Sequence, residues 1–146
     1  YYYHRLQQWF AWKYGAVGSG FWAYGDGGRT SPWNEYKATG GDSYTPIYFD
    51  EYSITTGKHW EAVREGVEDY EYLKMLSDLI KEFEEEDSTN DVLREAVTLL
   101  NEAPERVCGK YNEEIQSWQI TKERDVADLE RVHILSMIER LFDMKK

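Results

Sequence analysis

Residues 58–83 read KHWEAVREGVEDYEYLKMLSDLIKEF, and their apolar members Trp60, Val63, Val67, Tyr70, Leu73, Leu76, Ile80 and Phe83 recur at steps of three and four. That spacing lines one side of a 3.6-residue turn and predicts a long amphipathic helix, with Thr55 or Thr56 as its cap. Downstream, Ser88 with Asp91 resembles a capping box. It opens a second helix through Leu93, Ala96, Val97 and Leu100 that Pro104 should interrupt. Ala127, Ile134, Ile138 and Leu141 mark a last helix that ends near Met144 and two lysines. No internal repeat of the length expected for solenoids or propellers appears.

Upstream of this run the chain changes character, with tyrosine and tryptophan crowding its first half. Leu6, Trp9, Phe10 and Lys13 suit a helix closed by Gly15, a residue that accepts the left-handed cap conformation. Next comes GSGFWAYGDGG, residues 18–28, which sets its bulkiest rings between glycines and follows them with an acid. A phosphate loop, a buried strand with a turn, and a strand end flooring a ligand site are the competing readings. Gly18 to Ala23 fits the dinucleotide pattern GxGxxA, but that pattern needs a strand before it and a helix inside it. Here the order is reversed, so the nucleotide reading is set aside. Aromatic side chains instead favour a strand over 20–24, ended by Gly25. From Asp26 to Pro46 the composition is that of a loop, long enough to suggest function, and Trp33, Tyr36 and Tyr44 argue against disorder. Ile47–Phe49 is a brief extended piece before the long helix.

Composition limits the partners. The 146 residues, 41% of them hydrophobic, suffice for a core. A formal charge of -11 with no basic stripe disfavours nucleic acid. The acidic run Glu82–Asp87 reads as a solvated helix end, with calcium or a basic partner a distant second. A single cysteine, Cys108, excludes an internal disulfide framework and leaves the compartment open. No apolar run approaches the roughly 20 residues that span a bilayer. His4, His59 and His133 are scattered, so no metal site is expected, nor any other cofactor. Ser19 lacks the glycine at position 17 that GxSxG requires.

Gly20–Tyr24, the Trp33–Tyr36 loop and above all the Arg64–Tyr72 run REGVEDYEY resemble the carboxyl-terminal part of glycoside hydrolase family 123-type catalytic domains. The resemblance implies an α/β fold, namely a C-terminal fragment of a (β/α)8 TIM barrel followed by mainly α-helical segments. Residues 1–86 would supply the barrel portion and residues 87–146 a trailing helical segment packed on it. Tyr1–Gly15 would match the seventh barrel helix, Gly20–Tyr24 the eighth strand and His59–Phe83 the eighth helix. A whole barrel needs about 250 residues, so the chain would be a fragment that is inactive alone. The family's catalytic Asp-Glu pair would then lie upstream, and the first residues, which lack an initiator methionine, read as mid-domain sequence. Two positions depart from the family, Gly57 and His59 standing where relatives carry serine and arginine. A histidine cannot replace the permanent forked charge of arginine.

Two acid pairs within the chain imitate the missing one. Asp50-Glu51 reads as a solvated turn, and Glu68-Asp69 lies inside a helix where neighbouring side chains diverge, with Arg64 as the expected partner. Glu61, Arg64, Glu68 and Tyr72 form a polar edge expected to lock the helix to the barrel. For substrate, Trp22 and Trp33 are candidates to stack on a sugar face beside Tyr24, with Asp26 and Glu35 accepting its hydroxyls. An anchoring role in the core competes for each of these rings. The functional expectation is a portion of a glycoside hydrolase acting on glycans, N-acetylgalactosamine-containing ones among them. The alternative is a noncatalytic helical module that binds carbohydrate or protein. On the fragment reading the chain should associate with its missing barrel portion or with itself.

Overall fold

The computed structural model describes residues 2–21, 46–49, 51–86, 90–109 and 125–145. Within them run α1 (Tyr2–Lys13), β1 (Ile47–Phe49), β2 (Ile54–Thr56), α2 (Lys58–Glu86), α3 (Asp91–Cys108) and α4 (Val126–Met144). Several boundaries have a local cause. Gly15 takes a φ of 63°, and two bonds close α1, from Gly15 N–H to the Trp12 carbonyl (3.1 Å) and from Ala16 N–H to that of Ala11 (2.8 Å). Thr55 and Thr56 belong to β2, so α2 starts from Gly57, whose carbonyl accepts from Trp60 N–H at 3.0 Å. A side chain there would have to displace the Tyr48 ring, since a Cβ would lie 2.8 Å from its Cε2. The cap of α3 is Asn90, whose Oδ1 accepts from Val92 N–H at 2.8 Å.

Pro104 does not interrupt α3, which continues to Cys108. Proline in a helix interior forfeits one backbone bond. The following turn is retained because Ala103, Pro104, Val107 and Cys108 are all buried, and Gly109 closes the helix with a φ of 68°.

Leu6 and Trp9 from α1, Leu73, Leu76, Ile80 and Phe83 from α2, Leu93, Ala96 and Val107 from α3, and Ile134, Ile138 and Leu141 from α4 form one buried cluster. It draws on residues from both sides of position 87. α4 runs in the same sense as α2, since Arg131 meets Asp69 and Lys145 meets Glu82. It runs opposite to α3, since Arg106 meets Glu130 and Glu95 meets Arg140. α1 lies along the first half of α2, with His4 beside His59 and Trp12 beside Tyr70. Gly66 permits that approach, because a Cβ there would lie 2.7 Å from the carbonyl oxygen of Arg5.

The expectation of a (β/α)8 TIM barrel fragment is overturned. Helices hold 77% of the described residues, and the strands among them form a two-stranded antiparallel hairpin, with Ile47 opposite Thr56 and Phe49 opposite Ile54. The proposed eighth strand has no strand geometry at Gly20 or Phe21, and its remaining residues lie outside the described ones. The reason lies in what α2 buries. A barrel helix covers parallel strands, whereas α2 packs on three other helices through Leu73, Leu76, Ile80 and Phe83. The TIM-barrel glycoside hydrolase classification that the resemblance implied is corrected with it.

Candidate functional site

Among the described residues the carboxylate of Asp69 accepts four hydrogen bonds. Its residue is 1% exposed. Oδ2 accepts from Arg5 Nε at 2.8 Å and Trp9 Nε1 at 2.9 Å, while Oδ1 accepts from Arg131 Nε at 2.5 Å and, more weakly, from Arg5 Nη2 at 3.4 Å. Arg5 extends the cluster through Nη1 to Asp128 (2.6 Å) and to Glu65 (3.5 Å), and Arg131 donates through Nη2 to the Glu65 carbonyl at 2.8 Å. Burial works against the charge on Arg5, but the hydrogen bonds and charges of Asp69 and Asp128 outweigh it and raise its pKa. Helices α1, α2 and α4 thus share one anion. A carboxylate with both oxygens engaged by fixed donors has no lone pair aimed at a substrate, so Asp69 fastens helices.

α3 is tied in by a second buried acid. Arg106 grips Glu130 in a fork, Nε to Oε1 at 2.6 Å and Nη2 to Oε2 at 2.9 Å, and also reaches Glu102 at 2.8 Å. Burial pushes the Glu130 pKa up, yet Arg106, helped by His133 at 3.5 Å, pulls it below the usual carboxylate range.

Trp22, Tyr24, Asp26, Trp33 and Glu35, the residues expected to bind a sugar, all lie outside the described residues, as does Asp50. The polar edge is partly assembled. Arg64 donates to Glu61 at 2.8 Å and to Glu68 on the solvent side of α2. Tyr72 lies instead beside Arg131, whose guanidinium carbon is 5.9 Å from its ring centre, and Arg131 approaches Glu68 at 3.8 Å. Arg64 is therefore a surface partner of Glu68 and not of Asp69.

Asp69 was missed as an anchor because its partners stand 60 or more positions away in sequence. A signal was nonetheless present, since Asp69 falls on the buried stripe with Ala62, Leu73 and Leu76, and Arg5 neighbours Leu6 and Trp9 on that of α1. His59 is buried beside His4, with ring centres 5.2 Å apart and Phe21 edge-on to His4 at 4.7 Å.

On the outside, Val67 and Met75 of α2 and Leu129, Val132 and Phe142 of α4 stand exposed. A shallow groove of about 530 Å³ follows α3 between Asp91 and Arg106, lined by acids and arginines in mixture. Among the described residues no group of three or more His, Cys, Asp or Glu side chains is placed to hold a metal ion, and no helix is long and apolar enough to cross a membrane. Comparison with family models, with curated proteins and with solved structures finds no match to this chain.

Proposed function

We propose that the chain is a noncatalytic helical module that binds other proteins. The observation that carries this reading is the division of labour between inside and outside. The buried carboxylates of Asp69 and Glu130 are consumed in ties between helices, while large apolar side chains such as Leu129 and Val132 stand on solvent faces. Two exposed apolar side chains one turn apart on a helix can serve as anchors for a partner helix.

The test is selection of a displayed library of helical peptides on the immobilised 146-residue chain, counter-selected against the Leu129→Ser/Val132→Ser variant. Binders enriched on the parent chain and lost on the variant are expected. The reading fails if no peptide enriches, whether or not a panel of glycans, N-acetylgalactosamine-terminated ones included, is bound.

A further inference from the structure

We infer that the outward face of α4 docks a basic amphipathic helix, whose apolar residues seat on Leu129 and Val132 and whose lysines or arginines meet the acids around them. This rests on the interaction-module reading and names the partner's chemistry. At 100° per residue, Asp125, Asp128, Leu129, Val132, Glu139 and Asp143 fall within roughly 100° of the helix circumference, on the side away from Ala127, Ile134 and Leu141. Leu129 is 54% and Val132 61% exposed, three residues apart, as an anchoring pair on one helix face should be.

Charge decides the occupant. Every described base of α4 is turned inward or sideways into a tie, Arg131 to Asp69, Arg140 to Glu95 and Lys145 to Glu82, and His133 leans on Glu130. Four acids and no base fall on the outward arc; Asp128 already shares its charge with Arg5 and Asp143 is likewise engaged, so Asp125 and Glu139 carry the selection for a basic partner. The chain's net charge of -11 would steer a cationic partner towards it from a distance. A second copy of the chain would set these acids against their own kind. An anionic lipid surface or nucleic acid would be repelled for the same reason. The groove along α3 mixes Arg94 and Arg106 with Asp91, Glu95 and Glu102 and makes no such selection. From Asp125 to Asp143 the face is roughly 27 Å long, the length of an 18-residue helix.

Three fluorescein-labelled 18-residue peptides test the inference by anisotropy with the 146-residue chain. One is a lysine-rich helix with leucines at steps of three and four, one replaces its lysines by glutamates, and one scrambles the first. The basic amphipathic peptide is expected to bind at least about tenfold tighter than either control and to weaken several-fold between about 50 and 300 mM salt. Leu129→Ser/Val132→Ser should weaken it about tenfold, and Asp125→Lys/Glu139→Lys should shift preference towards the glutamate peptide, both with unchanged helical circular dichroism. Equal binding of the scrambled peptide, or no effect of either variant, overturns the docking face. If library selection yields Leu129-dependent binders that are not basic, this inference falls and the module reading stands. If it yields none, the module reading itself falls.

Discussion

Replacing Asp69 by alanine separates the buried cluster from the exposed polar edge as the feature that fastens α2 to its neighbours. The substitution leaves the Arg5 side chain, 3% exposed, with its charge facing an emptied site, and removes the acceptor for Trp9 and Arg131. Breaking a buried ion pair from one side costs about 3–5 kcal/mol, because the remaining charge is neither solvated nor matched. Arg5 keeps Asp128 at 2.6 Å and Glu65 at 3.5 Å, which places the expected loss near the lower end, about 3 kcal/mol. A single domain of this size should then melt roughly 10 °C lower. The assay is urea denaturation followed by circular dichroism at 222 nm, with thermal melts in parallel and Arg64→Ala as the comparison. Arg64 pairs with Glu61 and Glu68 in solvent, and its removal should change little. The triple replacement Arg5→Met/Asp69→Leu/Arg131→Met should recover part of the loss, since a packed apolar set removes the stranded charges while the Trp9 indole N–H still lacks its acceptor. Asp69→Ala melting with Arg64→Ala, both close to the parent chain, would refute the assignment of the cluster as the lock.

Three further outcomes are expected. Glu130 has a folded pKa below its unfolded one, so its contribution is present above the unfolded carboxylate range and is lost as pH falls through the depressed value; Arg106→Gln should flatten this acid limb in melts recorded from pH 7 to pH 3. Gly66→Ala should destabilise by about 1–3 kcal/mol despite alanine's better helix propensity, because its Cβ would lie 2.7 Å from the Arg5 carbonyl oxygen, and a denaturation midpoint above that of the parent chain would contradict the close approach of α1. Cys108 is buried, so its reaction with a thiol reagent should follow unfolding, slow in buffer and complete in denaturant; immediate labelling of the folded chain would show that the end of α3 is not packed as described.

Helix positions were legible where apolar spacing persists over many turns, as from Trp60 to Phe83, because that pattern is a property of consecutive residues. Gly15 was legible as a terminator for the same reason, a single residue's tolerance of positive φ. The barrel was not a sound extension of those elements. The aromatic run after Gly18 and the REGVEDYEY motif are both local, and neither states whether α2 meets strands or helices. Pro104 shows the same limit, since burial of Val107 and Cys108 outweighs a local breaker. Glu68-Asp69 shows it most clearly. Adjacent in sequence, one acid lies against Arg64 near solvent and the other lies beneath two arginines and a tryptophan.

Consecutive side chains and backbone torsions are enough to write four helices, their amphipathic faces and the acidic excess, because each depends on near neighbours along the chain. Which faces meet, and therefore which charges are buried, follows from packing among segments more than 60 residues apart, where Arg5, Asp69 and Arg131 converge. Loss of water decides their role. The same aspartate that would be an indifferent surface acid in an isolated helix becomes a fastening once burial makes every unmet hydrogen bond costly.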